Sequence, residues 1–238
     1  MDDVTDLSPI VVCHIITLLC ANIFLGAGAV SFVHTVKAAE PLFTALLSAV
    51  FLEQTFSPLV YLTLIPVIAG VGLSSFKSLE FNWLAFTGAV GYNLAASARA
   101  ILSKRSMGMG VGTNMSPANL YAVVHIMAAA MFFPLAIITE GPMVKDVWAY
   151  AVTNPETRDD VMFNIVASGV LFYFYNEVAF RCLGRVHPVA HAVGSSFKRI
   201  FLVFTSFFVF GSTPTPRTAV GSYVAIMGVQ LYRLAQKK

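Results

Sequence analysis

The stretch His191-Ala192-Val193-Gly194-Ser195-Ser196-Phe197-Lys198-Arg199 runs directly into residues 200–210, which carry no charge at all. A lysine or arginine near the centre of a membrane helix costs roughly 2.5–3.5 kcal/mol on insertion scales. Two of them side by side in hydrocarbon need a compensating charge, and a bound anion is the simplest supplier. The stretch therefore points to a membrane helix carrying a binding site for small anions.

The rest of the chain has the composition to match. Of its 238 residues, 57% are hydrophobic and 11% charged, whereas about a quarter of a soluble domain is charged. Mean hydropathy is +0.76. The apolar residues gather in eight blocks: 9–33, 38–52, 58–76, 83–102, 120–138, 162–180, 189–210 and 219–234. A helix of about 20 residues crosses ~30 Å of hydrocarbon. Strands of a membrane barrel would alternate polar and apolar side chains, which these blocks do not, so each block predicts a helix. The expected fold class is an all-α membrane protein with about eight transmembrane helices. Block 38–52 is short for a crossing and predicts a tilted or unwound end.

Several function classes drop out. The net charge of +3 is too slight a footprint for nucleic acid. Cys13, Cys20 and Cys182 show no pairing pattern and read as small core residues. His187 and His191 are spaced for a metal, but Pro188 disturbs that turn and no third ligand is near, so no metal is expected. No catalytic signature of a metalloprotease, a membrane aspartyl protease or a serine hydrolase is present. Gly108, Gly110 and Gly112, and residues 154–160, read as solvated loops between spans. No cofactor is expected.

No secretory or transit segment precedes the first span, residues 1–8 being short and acidic. If all blocks cross, Lys104, Arg105, Arg181, Arg185, Arg233, Lys237 and Lys238 share a side with both termini. They outnumber Lys77, Lys145, Arg158 and Arg217 opposite, which predicts the termini on the inner side.

Two regions share a pattern. Val33-His34-Thr35-Val36 leads through an apolar run and a loop with Pro58 to Ala69-Gly70-Val71-Gly72-Leu73. Ala190-His191-Ala192-Val193 leads through an apolar run and a loop with Pro214 and Pro216 to Met227-Gly228-Val229-Gln230-Leu231. Each ends in a helix with small residues suited to close backbone packing. An odd number of spans separates the copies, so they cross in opposite directions, as in transporters built from inverted repeats. Each copy has its cations after the histidine, Lys37 in the first and Lys198-Arg199 in the second. Inversion would bring all three to a shared central cavity. The domain is expected to be a single transmembrane unit over 1–238, with repeat halves roughly 1–76 and 83–238.

Taken in order, Ala29-Val30-Ser31-Phe32-Val33-His34-Thr35-Val36-Lys37-Ala38-Ala39-Glu40-Pro41, Phe81-Asn82-Trp83-Leu84, Ser103-Lys104-Arg105, Glu140-Gly141-Pro142, Tyr173-Phe174-Tyr175-Asn176 and the opening stretch resemble the plastid phosphate translocators. These triose-phosphate/phosphate translocator types belong to the drug/metabolite transporter superfamily and have ten helices. The resemblance implies that the blocks here are the third to the tenth, with the first two helices and the transit peptide missing. It implies antiport of phosphorylated three-carbon compounds (or five- and six-carbon ones) for inorganic phosphate across the plastid inner envelope. It also implies a phosphate site at Lys37, Lys198 and Arg199, with Arg99 and Tyr175 lining the pocket. Polar family positions fall here on Leu18 and Ala21, and an aromatic one on Ala96. These shape the end of the pocket that holds the organic part of the cargo.

Other readings stand beside this one. The cations are also readable as helix ties paired with Glu40 or Glu177, Lys37 above all because it lies one helical turn from Glu40, although two acids cannot neutralise Lys37, Arg99, Lys198 and Arg199. Arg99 is readable as a ligand or as an anchor snorkelling toward the interface. Tyr175 is readable as a hydroxyl donor or as packing, and His34 as a pocket residue or as packing. A nucleotide-sugar or other solute carrier of the secretory pathway, and a non-transporting membrane fragment, are the alternative functions.

Overall fold

A computed structural model of the chain describes residues 2–27, 36–37, 39–53, 56–75, 83–109, 115–153, 155–195 and 216–236. Lys198, Arg199 and His34 lie outside the described residues. Helices α1 (Asp2–Ala27), α2 (Glu40–Phe51), α3 (Pro58–Ser75), α4 (Trp83–Met109), α5 (Pro117–Thr153), α6 (Pro155–Arg185) and α7 (Pro216–Gln236) follow in order. Residues 188–195, between α6 and α7, are helical as well. No strand occurs among the described residues.

Proline sets many of the starts. Pro58, Pro117, Pro155 and Pro216 each open a helix, at a position where the missing N–H costs nothing and the fixed φ favours the helix. Before Pro117, the Ser116 hydroxyl accepts the Asn119 backbone N–H at 3.2 Å and caps α5. At 12 residues α2 is about 18 Å long, short of a full crossing as its block predicts. Hydroxyls within the apolar stretches bond their own helix: Thr17 to the Cys13 carbonyl at 2.7 Å, Thr139 to that of Leu135 at 2.9 Å. No water is needed to satisfy them.

Two sequence expectations need correction. Residues 155–160 are the opening turns of α6, not a loop, and α5 runs on to Thr153 with Pro134 and Pro142 inside it. The acids of Pro155-Glu156-Thr157-Arg158-Asp159-Asp160 lie at a helix N-terminus, where the dipole favours negative charge. Gly108 sits in the last turn of α4, and Gly110 and Gly112 lie outside the described residues. Cys182 is exposed, whereas Cys13 and Cys20 are half-buried.

The helices are assembled inside-out relative to a soluble protein. Apart from Ile101, the buried face of α4 is small or polar: Ala85, Ala89, Asn93, Ala95, Ala96, Ser97, Ser103 and Ser106. Large apolar side chains point outward instead, with Ile138 75% and Phe163 72% exposed. That pattern suits lipid outside and close helix contact inside. Helices α5 and the 158–185 part of α6 are long and apolar enough to cross a membrane, and shorter apolar helices lie in α1, α2, α3 and α7.

Packing falls into two groups. Leu7, Ile10 and Val11 of α1 meet Leu120, Tyr121 and Val124 of α5 and Phe180 of α6. Ala45 of α2 and Leu64 of α3 meet Val189, Val193 and Tyr232. Contacts of α4 with α1, α2, α5 and α6 join the groups. The small-residue helices that close the two sequence repeats, α3 and α7, pack directly on each other. A Cβ on Gly70 would stand 2.6 Å from the Gly221 carbonyl oxygen, and one on Gly228 2.7 Å from the Val67 nitrogen. Only glycine allows that approach.

Candidate functional site: a cationic membrane cavity

Between the groups lies a cavity of about 320 Å³. Three helices each contribute one stripe at helical spacing. His14, Thr17, Leu18 and Ala21 come from α1; Tyr92, Ala96, Arg99 and Ala100 from α4; Phe172, Tyr175, Asn176, Ala179, Phe180 and Leu183 from α6. Lys37, Glu40, His191 and Ser195 complete the lining. The i, i+3, i+4, i+7 repeats put these side chains on single helix faces.

Lys37 is held by two neighbours in sequence on α4. Its ammonium lies 3.6 Å from the centroid of the Tyr92 ring, a cation–π contact. The fully buried Asn93 donates through Nδ2 to the Val36 carbonyl at 2.8 Å and ties down the backbone beside Lys37. The entry to α2 is fixed as well, since the Thr44 hydroxyl lies 2.8 Å from that of Ser97.

Arg99 stands seven residues beyond Tyr92, about 10 Å along the same helix. Its Nη1 donates to His14 Nδ1 at 3.0 Å, and its guanidinium carbon lies 5.7 Å from the Phe180 ring centroid. Arg99 therefore faces the cavity and not the interface. The anchoring role falls to Lys104, whose ammonium donates to the Leu183 and Gly184 carbonyls at 2.9 and 2.8 Å. Those carbonyls lie at the C-terminal end of α6, where cations are favoured.

Few acids face the cavity. Glu177 accepts from Arg181 Nε at 3.0 Å, one turn along α6. Among the described lining residues, Lys37 and Arg99 face the single acid Glu40. His187, in the connection before residue 188, accepts the Val189 N–H through Nδ1 at 3.3 Å. Burial, with the nearby Lys104 charge, holds its imidazole below the usual histidine range. That keeps the ring neutral and the nitrogen able to accept.

Of the site residues expected from sequence, Lys37, Arg99 and Tyr175 line one cavity. Lys198, Arg199 and His34 are outside the described residues. Leu18, Ala21 and Ala96, the positions that depart from the family pattern, line the same cavity. Sequence reasoning missed His14, Tyr92 and Asn93. The available signal was polar residues inside apolar blocks, since such residues face the protein interior.

A crystal structure with 13% sequence identity superposes with a TM-score of 0.67, covering 99% of this chain and 76% of the other, which shows the fold alone. The chain is 37% identical over 233 residues to the triose phosphate/phosphate translocator, chloroplastic, of Spinacia oleracea, covering 98% of this chain and 56% of that protein. To its counterpart in Pisum sativum it is 38% identical over 227 residues, covering 95% and 55%. To the glucose-6-phosphate/phosphate translocator 1, chloroplastic, of Arabidopsis thaliana it is 36% identical over 233 residues, covering 97% and 58%. The chain thus spans little more than half the length of the relatives it matches. With the profile of the Triose-phosphate Transporter family matching residues 1–233, the chain belongs to that family.

Proposed function

We propose that this protein is a carrier, not an enzyme, that exchanges phosphorylated small carbon compounds for inorganic phosphate across the plastid inner envelope. The observation that carries the reading is one cavity in a helical membrane fold lined by both Lys37 and Arg99, with Arg99 about two turns beyond the Tyr92 ring that Lys37 lies over. Its relatives bear translocator names for triose phosphate and for glucose-6-phosphate. Lys37, Lys198 and Arg199 are assigned to the phosphate, with Arg99, Tyr175 and His34 around the cargo. In sequence Lys198 and Arg199 follow Ser195, a lining residue, by three and four positions. Arginine supplies a planar fork for two oxygens, and lysine a compact point charge. Cations ~6 Å apart repel by roughly 3 kcal/mol per pair at an effective dielectric of 20. An occluded empty pocket is disfavoured by that repulsion, and a phosphate dianion relieves it. Only the loaded carrier then changes face readily, which couples outward cargo to inward phosphate.

Three-carbon compounds are the preferred cargo, since a cavity of about 320 Å³ lined by two cations suits a small molecule with anionic groups. In liposomes, Lys198→Ala and Arg199→Ala each abolish exchange of labelled phosphate while the protein still assembles. Unimpaired exchange in either variant would remove the assignment. Competition of unlabelled triose, pentose and hexose phosphates against phosphate uptake ranks the cargoes.

A further inference from the structure

The α1 stripe in the cavity reads His14, Thr17, Leu18, Ala21. Two of its positions are apolar, yet one turn before Leu18 stands a histidine only 3% exposed. A guanidinium can only donate, so His14 Nδ1 must accept from Arg99, and the ring proton sits on Nε2. Behind His14 the His125 ring lies at 4.4 Å between centroids, and Tyr121 lies 3.9 Å beyond that. A backbone carbonyl only accepts, so His125 donates through Nδ1 to the Tyr121 carbonyl at 2.9 Å, which fixes its ring. Arg99 is thus gripped on one side by an immobilised acceptor and on the other by the Phe180 face. Among the described residues its remaining N–H groups have no protein acceptor.

We infer that His14 is a positioning residue for cargo binding: through Nδ1 it holds the Arg99 guanidinium as a fixed fork toward oxygen atoms of the anionic cargo. This rests on the carrier reading above. A charge-assisted hydrogen bond of this kind preorganises the arginine before cargo arrives. Truncating the acceptor leaves Arg99 charged but free to turn away. The role is therefore read in apparent affinity, not in maximal rate.

Two exchanges separate positioning from packing. His14→Phe keeps a ring against His125 and removes the acceptor; His14→Asn removes the ring and keeps an acceptor near the Nδ1 position. With the chain in liposomes, labelled phosphate exchange against 3-phosphoglycerate should show KM raised about tenfold in His14→Phe, with maximal rate within about twofold, and largely restored in His14→Asn. In an Arg99→Met background, His14→Phe should add little, because the two residues act as a unit. The reverse order, with Phe tolerated and Asn damaging, overturns the inference, as does an undiminished His14→Phe effect without Arg99. Phosphate exchange that ignores every His14 variant defeats this role alone. Absence of any exchange in the unaltered chain defeats the carrier reading and this role with it.

Discussion

Lys37 and Lys104 illustrate how the same side chain is used in two ways. The ammonium of Lys104 is consumed by two carbonyls at the end of α6, so its charge serves the helix. Lys37 lies against an aromatic face inside the cavity; a ring quadrupole steadies a desolvated cation by about 2 kcal/mol without neutralising it. Lys37 is the lysine proposed to act on cargo. Lys104→Met should therefore lower stability by about 1–2 kcal/mol, seen as a lower Tm in detergent, with KM for phosphate unchanged. Lys37→Met should remove phosphate exchange while the protein still assembles. A Lys104→Met protein that folds normally but no longer exchanges phosphate would contradict this division.

At the scale of elements, the contact of α3 with α7 rests on two glycines. A Cβ at Gly70 would meet backbone atoms of α7, and backbone cannot swing aside as a flexible side chain can. Gly70→Val should cost about 3 kcal/mol or more and dissociate the pair. Gly169, in the middle of α6, has nothing within 4 Å of its virtual Cβ. Gly169→Ala should therefore be neutral or stabilising by up to about 1 kcal/mol through helix propensity. Thermal unfolding of both variants in the same detergent checks the contrast. Much of this level was legible in the chain. The described parts of the apolar blocks fall on helices, and the shortness of 38–52 reappears in the 12 residues of α2. The opening turns of α6 were not legible, because acids beside a proline look alike in a loop and at a helix N-terminus. The fate of Arg99 was open for another reason. Whether an arginine near a helix end snorkels or faces inward depends on which face its neighbours cover, and that is set by α1 and α6. His14 was hidden in the same way, since its partner lies far along the chain.

Among the described residues, many large apolar side chains face outward, and small and polar residues line the inner face of α4. That arrangement puts the half-buried Lys37 and Arg99 on one cavity, where charges are less screened than in water. In the proposed mechanism charge balance is the gate: cargo arriving as a dianion supplies what Glu40 alone does not. No ion gradient is needed for coupling, because the empty pocket resists occlusion. The most direct test is uptake of labelled phosphate into liposomes bearing the chain, with and without unlabelled phosphate or 3-phosphoglycerate inside. Rapid uptake into loaded vesicles, matched one for one by release, with almost none into empty vesicles, is the predicted result. Equal uptake into empty and loaded vesicles would contradict the account.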